Sequence, residues 1–208
     1  MYNHRVEIMK ITRRQLRKII NESLLNEMPM LQPDLLPPGF YITVEKDIYN
    51  PDMTDWFTHE DGGPDDPMKR LIIHMNDERG QLKAELYMRY WDSQYCGGTW
   101  EIQRAYLMSG APDGAGPLMY DIAMELAGGA GIMSDRMNTS DSAARVWEYY
   151  LDNRVGGDVI AKPVGRCVGQ RMRELAPGRR PEFSELKFIK GPGSPSIIEA
   201  LGNKIKFL

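Results

Sequence analysis

The segment of this chain best fitted to chemistry is Ser109-Gly110-Ala111-Pro112-Asp113-Gly114-Ala115-Gly116-Pro117-Leu118. It lies between a strand pattern, Thr99 to Met108, and an apolar helix pattern that opens at Pro117. A loop in that setting gathers backbone N–H groups at the positive end of a helix dipole. Its glycines remove the Cβ atoms that would obstruct a phosphate, so the segment predicts an anion cradle.

Other constellations exclude themselves. Gln94 to Trp100 has a cysteine and a tryptophan close together, but Thr99, not a cysteine, precedes Trp100, and His4, His59 and His74 all come before Cys96. A cysteine-protease centre is therefore excluded. His59 and His74 lack metal-ligand spacing with either cysteine, so no zinc site is expected. His59-Glu60-Asp61 and Asp65-Asp66 form an acidic loop, for which weak cation binding is the alternative to simple solvation. Lys162, Arg166, Arg171, Arg173, Arg179 and Arg180 give the C-terminal part a basic character. Aromatic residues are not interleaved with them, so nucleic acid is not an expected partner.

The elements that must hold the loop follow from patterning. With 208 residues, 42% hydrophobic, 26% charged and a net charge of −3, the chain has the composition of one main globular domain. Two cysteines are too few for a disulfide framework, and no apolar run approaches the roughly 20 residues needed to cross a bilayer. The expectation is a soluble, cytoplasmic-type protein of a reducing compartment with no membrane association.

Residues 1–27 read as a basic amphipathic helical leader, with Thr12 and Gln15 in capping-box spacing and Leu16, Ile19, Ile20 and Leu24 on one face. Residues 28–39 hold four prolines and read as a linker. Residues 40–208 form the main domain, with an irregular basic C-terminal extension. Strands are predicted at Phe40 to Glu45, Arg70 to Met75, Gln81 to Tyr90 and Trp100 to Met108, the middle two joined by a turn ending on Gly80.

A helix is predicted from Pro117, in the N1 position, to Ala127, with Leu118, Met119, Ile122, Ala123 and Leu126 as its inner face. A short strand at 131–133, a helix from the Thr139-Ser140-Asp141 cap through Leu151, and strands near 186–189 and 204–208 follow. Antiparallel strands ahead of the loop exclude a Rossmann or P-loop context, both of which need a parallel βαβ unit.

This order of strands, glycine loop, helix, strand and helix resembles the GNAT-type N-acetyltransferases. The resemblance implies an α+β fold, a mixed and largely antiparallel sheet flanked by helices. In that family the loop pattern is Gln/Arg-x-x-Gly-x-Gly/Ala, and it binds the pyrophosphate of acetyl-CoA. Gly114 and Gly116 match the glycine positions, and Ala111 stands where Gln or Arg is expected. The cofactor-binding residues implied are Leu107 and Met108, on the strand that holds the pantetheine arm, with Gly114, Ala115, Gly116, Pro117 and Leu118. A family tyrosine on the second helix protonates the departing thiolate; Trp147 occupies that register, and Tyr150, on the same face, is the implied donor.

Acyl transfer to an amine also needs a base. Glu101 is the candidate, with Glu85 as another, each set against the ordinary alternative of a carboxylate on a solvated sheet face. Asp135-Arg136 is set against a structural ion pair in the same way.

A narrower resemblance joins Gly116-Pro117-Leu118-Met119-Tyr120-Asp121-Ile122-Ala123, Ser134-Asp135-Arg136 and Val146-Trp147-Glu148-Tyr149-Tyr150 to GNAT-like proteins of tailed bacteriophages. Leu25-Asn26-Glu27 resembles the Leu/Ile-x-Glu site cut by phage prohead proteases, which implies removal of the leader. Two functions are thus expected as alternatives. One is an acyl-CoA-dependent N-acyltransferase acting in the host cytoplasm. The other is a non-catalytic virion or interaction protein whose 10–27 helix meets other phage proteins.

Overall fold

Apolar residues alternating with period two build the first half of the domain. The computed structural model describes residues 36–48, 69–91, 96–135, 139–165, 167 and 181–208. Within it, β1 (Tyr41–Ile48), β2 (Lys69–Asn76), β3 (Leu82–Trp91) and β4 (Thr99–Leu107) form an antiparallel meander. Ile42, Val44, Leu71, Ile73, Met75, Ala84, Leu86 and Met88 are buried and share one face through their cross-strand register. A one-residue slip would turn all of them outward, which is why the register is firmly set. In the β2–β3 turn the Asp77 carboxylate accepts from the backbone N–H groups of Arg79 and Gln81 at 3.0 and 2.9 Å. Gly80 closes the turn at φ 75°.

After the glycine loop come helix α1 (Ala115–Ala127), β5 (Ile132–Ser134) and α2 (Asp141–Tyr149), which runs on into a π-helical turn at Tyr150–Arg154. Then come β6 (Val159–Pro163), β7 (Leu186–Lys190), the short helix α3 (Ile197–Leu201) and β8 (Ile205–Phe207). The sheet order is β6-β7-β5-β4-β3-β2-β1-β8, with β5 parallel to β4 and β8 parallel to β1. This is an α+β architecture on a mixed sheet. Helix α1 lies across β3, β4 and β7, and Trp147 of α2 packs its ring 5.2 Å from Tyr120 and 5.3 Å from Phe188.

Every observed strand except β6 matches a predicted one to within a few residues, and the N-cap of α2 is Ser140, whose hydroxyl accepts from the Ala143 N–H at 3.2 Å. Helix α1 differs in its start. It opens at Ala115, so Pro117 is its third residue, still inside the first turn where an N–H has no intrahelical acceptor. The region beyond Arg154 is more regular than its Gly/Pro content suggests, since it contributes β6 and α3. At the other end, Leu36 is already buried in the core and its carbonyl accepts from Lys204 Nζ at 2.7 Å, so the last residues of the predicted linker belong to the packed domain.

Cys96 and Cys167, read from composition as the cysteines of a reducing compartment, are joined in a disulfide. Cys96 sits with Trp91, Met133 and Val164 in a small apolar cluster. The leader, the acidic loop, Arg136 and the arginines at 166, 171, 173, 179 and 180 lie outside the described residues. Among the described residues no helix is long and apolar enough to cross a membrane.

Candidate functional site

The site is set by how β4 leaves the sheet. It pairs with β5 over only three rungs, Trp100↔Ile132, Glu101↔Met133 and Ile102↔Ser134. On its other side it stays paired with β3 as far as Leu107. Opposite β3, Tyr87 faces Arg104 and Met88 faces Ile102, so Gln103 is an extra residue in β4. A bulge of this kind bends a strand and ends pairing. The consequence is a fork. Beyond Ile102, β4 has no strand on its β5 side among the described residues, and Tyr106, Leu107 and Met108 are 51%, 59% and 39% exposed there.

The open edge runs directly into the glycine loop. Successive turns shape that loop, with Ala111 N–H on the Met108 carbonyl and Ala115 N–H on the Pro112 carbonyl, both at 3.1 Å. Gly114 caps α1 at φ 79°, a conformation that favours glycine, and no side chain satisfies the helix end. The N–H groups of Gly114 and Gly116 meet no backbone acceptor among the described residues, and Pro117 has no N–H. Gly116 is not required by packing, because a Cβ there would lie 3.7 Å from Leu107 Cδ1, an ordinary contact. The loop carries the exposed carboxylate of Asp113, but it also has a cation beside it: a Cβ on Gly110 would lie 3.6 Å from Lys83 Nζ. Lys83 is paired with Asp77 at 3.2 Å.

Glu101 lies on the middle rung of the fork's closed end and is buried, not on a solvated face. Trp91 Nε1 donates to its Oε2 at 2.8 Å, and Arg89 Nη2 lies 3.4 Å away. Burial lifts this carboxyl above the ordinary carboxylate range against the opposing pull of Trp91 and Arg89. Burial likewise pulls the Arg89 guanidinium down, and Glu101 restrains it. Glu85 is instead half-buried, with His74 Nε2 3.1 Å from its Oε2.

Tyr150 is fully buried beneath α1. Its hydroxyl donates to Asp121 Oδ1 at 2.7 Å and lies 3.5 Å from the Pro117 carbonyl. Burial first, and then the Asp121 charge, drive its phenol well above the ordinary value. Asp121 is itself raised by burial, against the pull of Arg154 and Tyr150. Arg154 bridges Asp121 to Asp158, tying the π-helical turn to α1. Trp147, in the register of the family tyrosine, is a core residue.

The structure thus brings Leu107, Met108, Gly114, Gly116 and Pro117 along one open edge and glycine loop, with Ala115 and Leu118 buried behind them and Glu101 at the fork. It sets Tyr150 under the cradle, with its hydroxyl engaged inside the protein. Sequence reasoning missed Lys83, which approaches the loop only through the β3–β4 pairing. It also missed Ser134, at the vertex of the fork. Among the described residues no three His, Cys, Asp or Glu side chains are grouped to hold a metal. Comparison with family models, with curated proteins and with solved structures finds no match to this chain.

Proposed function

We propose that this chain is a GNAT-type, acyl-CoA-dependent N-acyltransferase, with acetyl-CoA as donor and an amine as acceptor. The observation that carries the reading is the fork: an open β4 edge, lined by Leu107 and Met108, that leads into a glycine cradle at a helix N-terminus. An extended amide-containing chain can pair with the free backbone of such an edge while its anionic end meets the cradle. The Gly114 and Gly116 N–H groups receive the pyrophosphate, and Lys83 supplies the positive charge that Ala111 lacks.

In the reaction the amine nitrogen bonds to the thioester carbonyl carbon, the C–S bond breaks, and the proton lost by the amine goes to Glu101. A raised carboxyl pKa suits it to that role. Tyr150 serves as support for the first turn of α1 rather than as proton donor, since its hydroxyl is held by Asp121.

The alternative is a non-catalytic bacteriophage virion or interaction protein on the same fold. One observation favours it: the polar groups of Tyr150 and Glu101 are both satisfied inside the protein. Acetyl-CoA separates the two readings. A ligand at 100 times its Kd stabilises the folded state by about 2.7 kcal/mol, which for a domain of this size raises Tm by about 5–10 °C. We expect that rise for the wild type and its loss in Gly116→Val, whose unliganded Tm stays at the wild-type value. No rise at millimolar acetyl-CoA would leave the interaction protein as the surviving reading.

A further inference from the structure

The sheet face turned away from the helices carries a constellation that no single stretch of sequence displays. The core residues of α1, α2 and α3 pack on the face that holds Ile73, Leu86 and Ile102. Residues directly opposite each other in a ladder share a face, so the register fixes what the other side presents. There Tyr87 of β3 stands opposite Arg104 of β4, and Arg89, two residues further along β3, stands opposite Arg70 of β2. Arg70 lies over the Tyr87 ring at 5.7 Å, and Arg89 lies over the Trp91 ring at 3.8 Å. Tyr106, 51% exposed, is opposite Glu85 and so diagonal to Tyr87, about 7–8 Å from it. Half-buried Tyr87 therefore has three arginines as neighbours and a second tyrosine one step on. Like charges set directly opposite, as Arg70 and Arg89 are, weaken a sheet unless an anion joins them. Of the acids nearby, Glu101 is buried against Arg89, and Asp135 acts on both. Glu45 and Glu85 lie on either side of His74, away from the arginines.

We infer that this open face binds single-stranded nucleic acid, with bases stacked on Tyr87 and Tyr106 and phosphates met by Arg70, Arg89 and Arg104. A single strand needs aromatic and cationic side chains interleaved, because each base offers a π-face and each phosphate a negative charge. An open sheet with aromatics on its middle strands stacks successive bases in this way. The basic residues of the C-terminal part lack that interleaving in sequence, whereas the sheet creates it across β2, β3 and β4. A duplex keeps its bases in its own stack and has none to give the tyrosines. An acidic polypeptide matches the arginines and not the rings. The face is distinct from the glycine loop, since Leu107 pairs with Ala84 on the helix side of the sheet. The inference therefore stands apart from the acyl-CoA reading.

The test uses the full chain and a fluorescein-labelled oligothymidylate of about ten nucleotides, followed by fluorescence anisotropy over a range of salt concentrations. Three phosphate contacts on a single strand predict that log Kobs falls with log salt at a slope of about −2. Arg104→Gln should bring that slope to about −1.4. Tyr106→Ala should weaken binding about tenfold at every salt concentration with the slope unchanged. Arg104 and Tyr106 are both exposed, so each variant should keep the wild-type Tm. The same oligonucleotide annealed to its complement, and an oligoglutamate peptide of equal length, should compete poorly. Absence of binding at low salt overturns the inference. Wild-type affinity in both variants overturns it too, because the strand is then held by another part of the chain. Equal binding of oligoglutamate, with no effect of Tyr106→Ala, gives the face to an acidic polypeptide instead.

Discussion

The Cys96–Cys167 disulfide offers a perturbation whose size follows from the fold. The bridge closes 71 residues of sequence, and that span contains β4, the glycine loop, α1, β5, α2 and β6. A cross-link over so much of the domain acts mainly by restricting the unfolded chain. In the chain-entropy account a loop of this length is worth about 4 kcal/mol. A clasp holding only a surface flap would contribute far less. For a domain of this size about 4 kcal/mol corresponds to a Tm shift of roughly 10 °C. The assay is a circular-dichroism melt of the oxidised protein, the protein reduced with an excess of dithiothreitol, and the Cys96→Ser/Cys167→Ser double variant. Intact-mass labelling of free thiols confirms the state of each sample. Reduced and double-variant proteins should melt together, well below the oxidised form. A difference of a degree or less, or two free thiols in the oxidised sample, would show that the bridge does not restrict the unfolded chain.

Two further substitutions probe the buried polar groups. Tyr150→Phe removes one donor from buried Asp121 and should cost about 1–3 kcal/mol of stability, seen in a denaturant melt, with acetyl-CoA affinity unchanged. Lost acyl transfer with stability intact would instead return Tyr150 to the chemistry. Glu101→Gln tests linkage. The folded-state pKa of Glu101 is raised, so the folded protein holds the proton more tightly, and this group's contribution to stability falls as pH rises above the ordinary carboxylate value of about 4.3. The Tm of Glu101→Gln relative to wild type should therefore climb as pH is raised from about 4 towards neutrality. A flat difference would mean that burial does not perturb this carboxyl.

The meander was legible because alternating residues such as Leu71, Ile73 and Met75 report a half-buried sheet directly. Leu118, Met119, Ile122 and Ala123 did the same for α1. The glycine loop at the head of α1 was legible too, since Gly114 and Gly116 lie within one local segment. Features that depend on pairing at a distance were not. The fork rests on three rungs and on a bulge at Gln103, neither of which leaves a local pattern. Asp121 is absent from the predicted inner face of α1, although it is a buried partner of Tyr150 and Arg154, the latter 33 residues away. Glu101 followed the alternation of a solvated face, but Trp91 and Arg89 of β3 enclose it. Strand β6, with exposed Lys162 and Pro163, offered little apolar signal.

Amide hydrogen exchange with and without acetyl-CoA shows whether the fork and the glycine loop bind acyl-CoA as proposed. Free N–H groups in the loop and along the open edge of β4 exchange quickly until a ligand accepts from them. Ligand-dependent protection is expected in peptides covering 103–118, extending to Lys83, with little change in β1 or β8. Protection elsewhere, or none at saturating acetyl-CoA, would contradict the acyl-CoA reading.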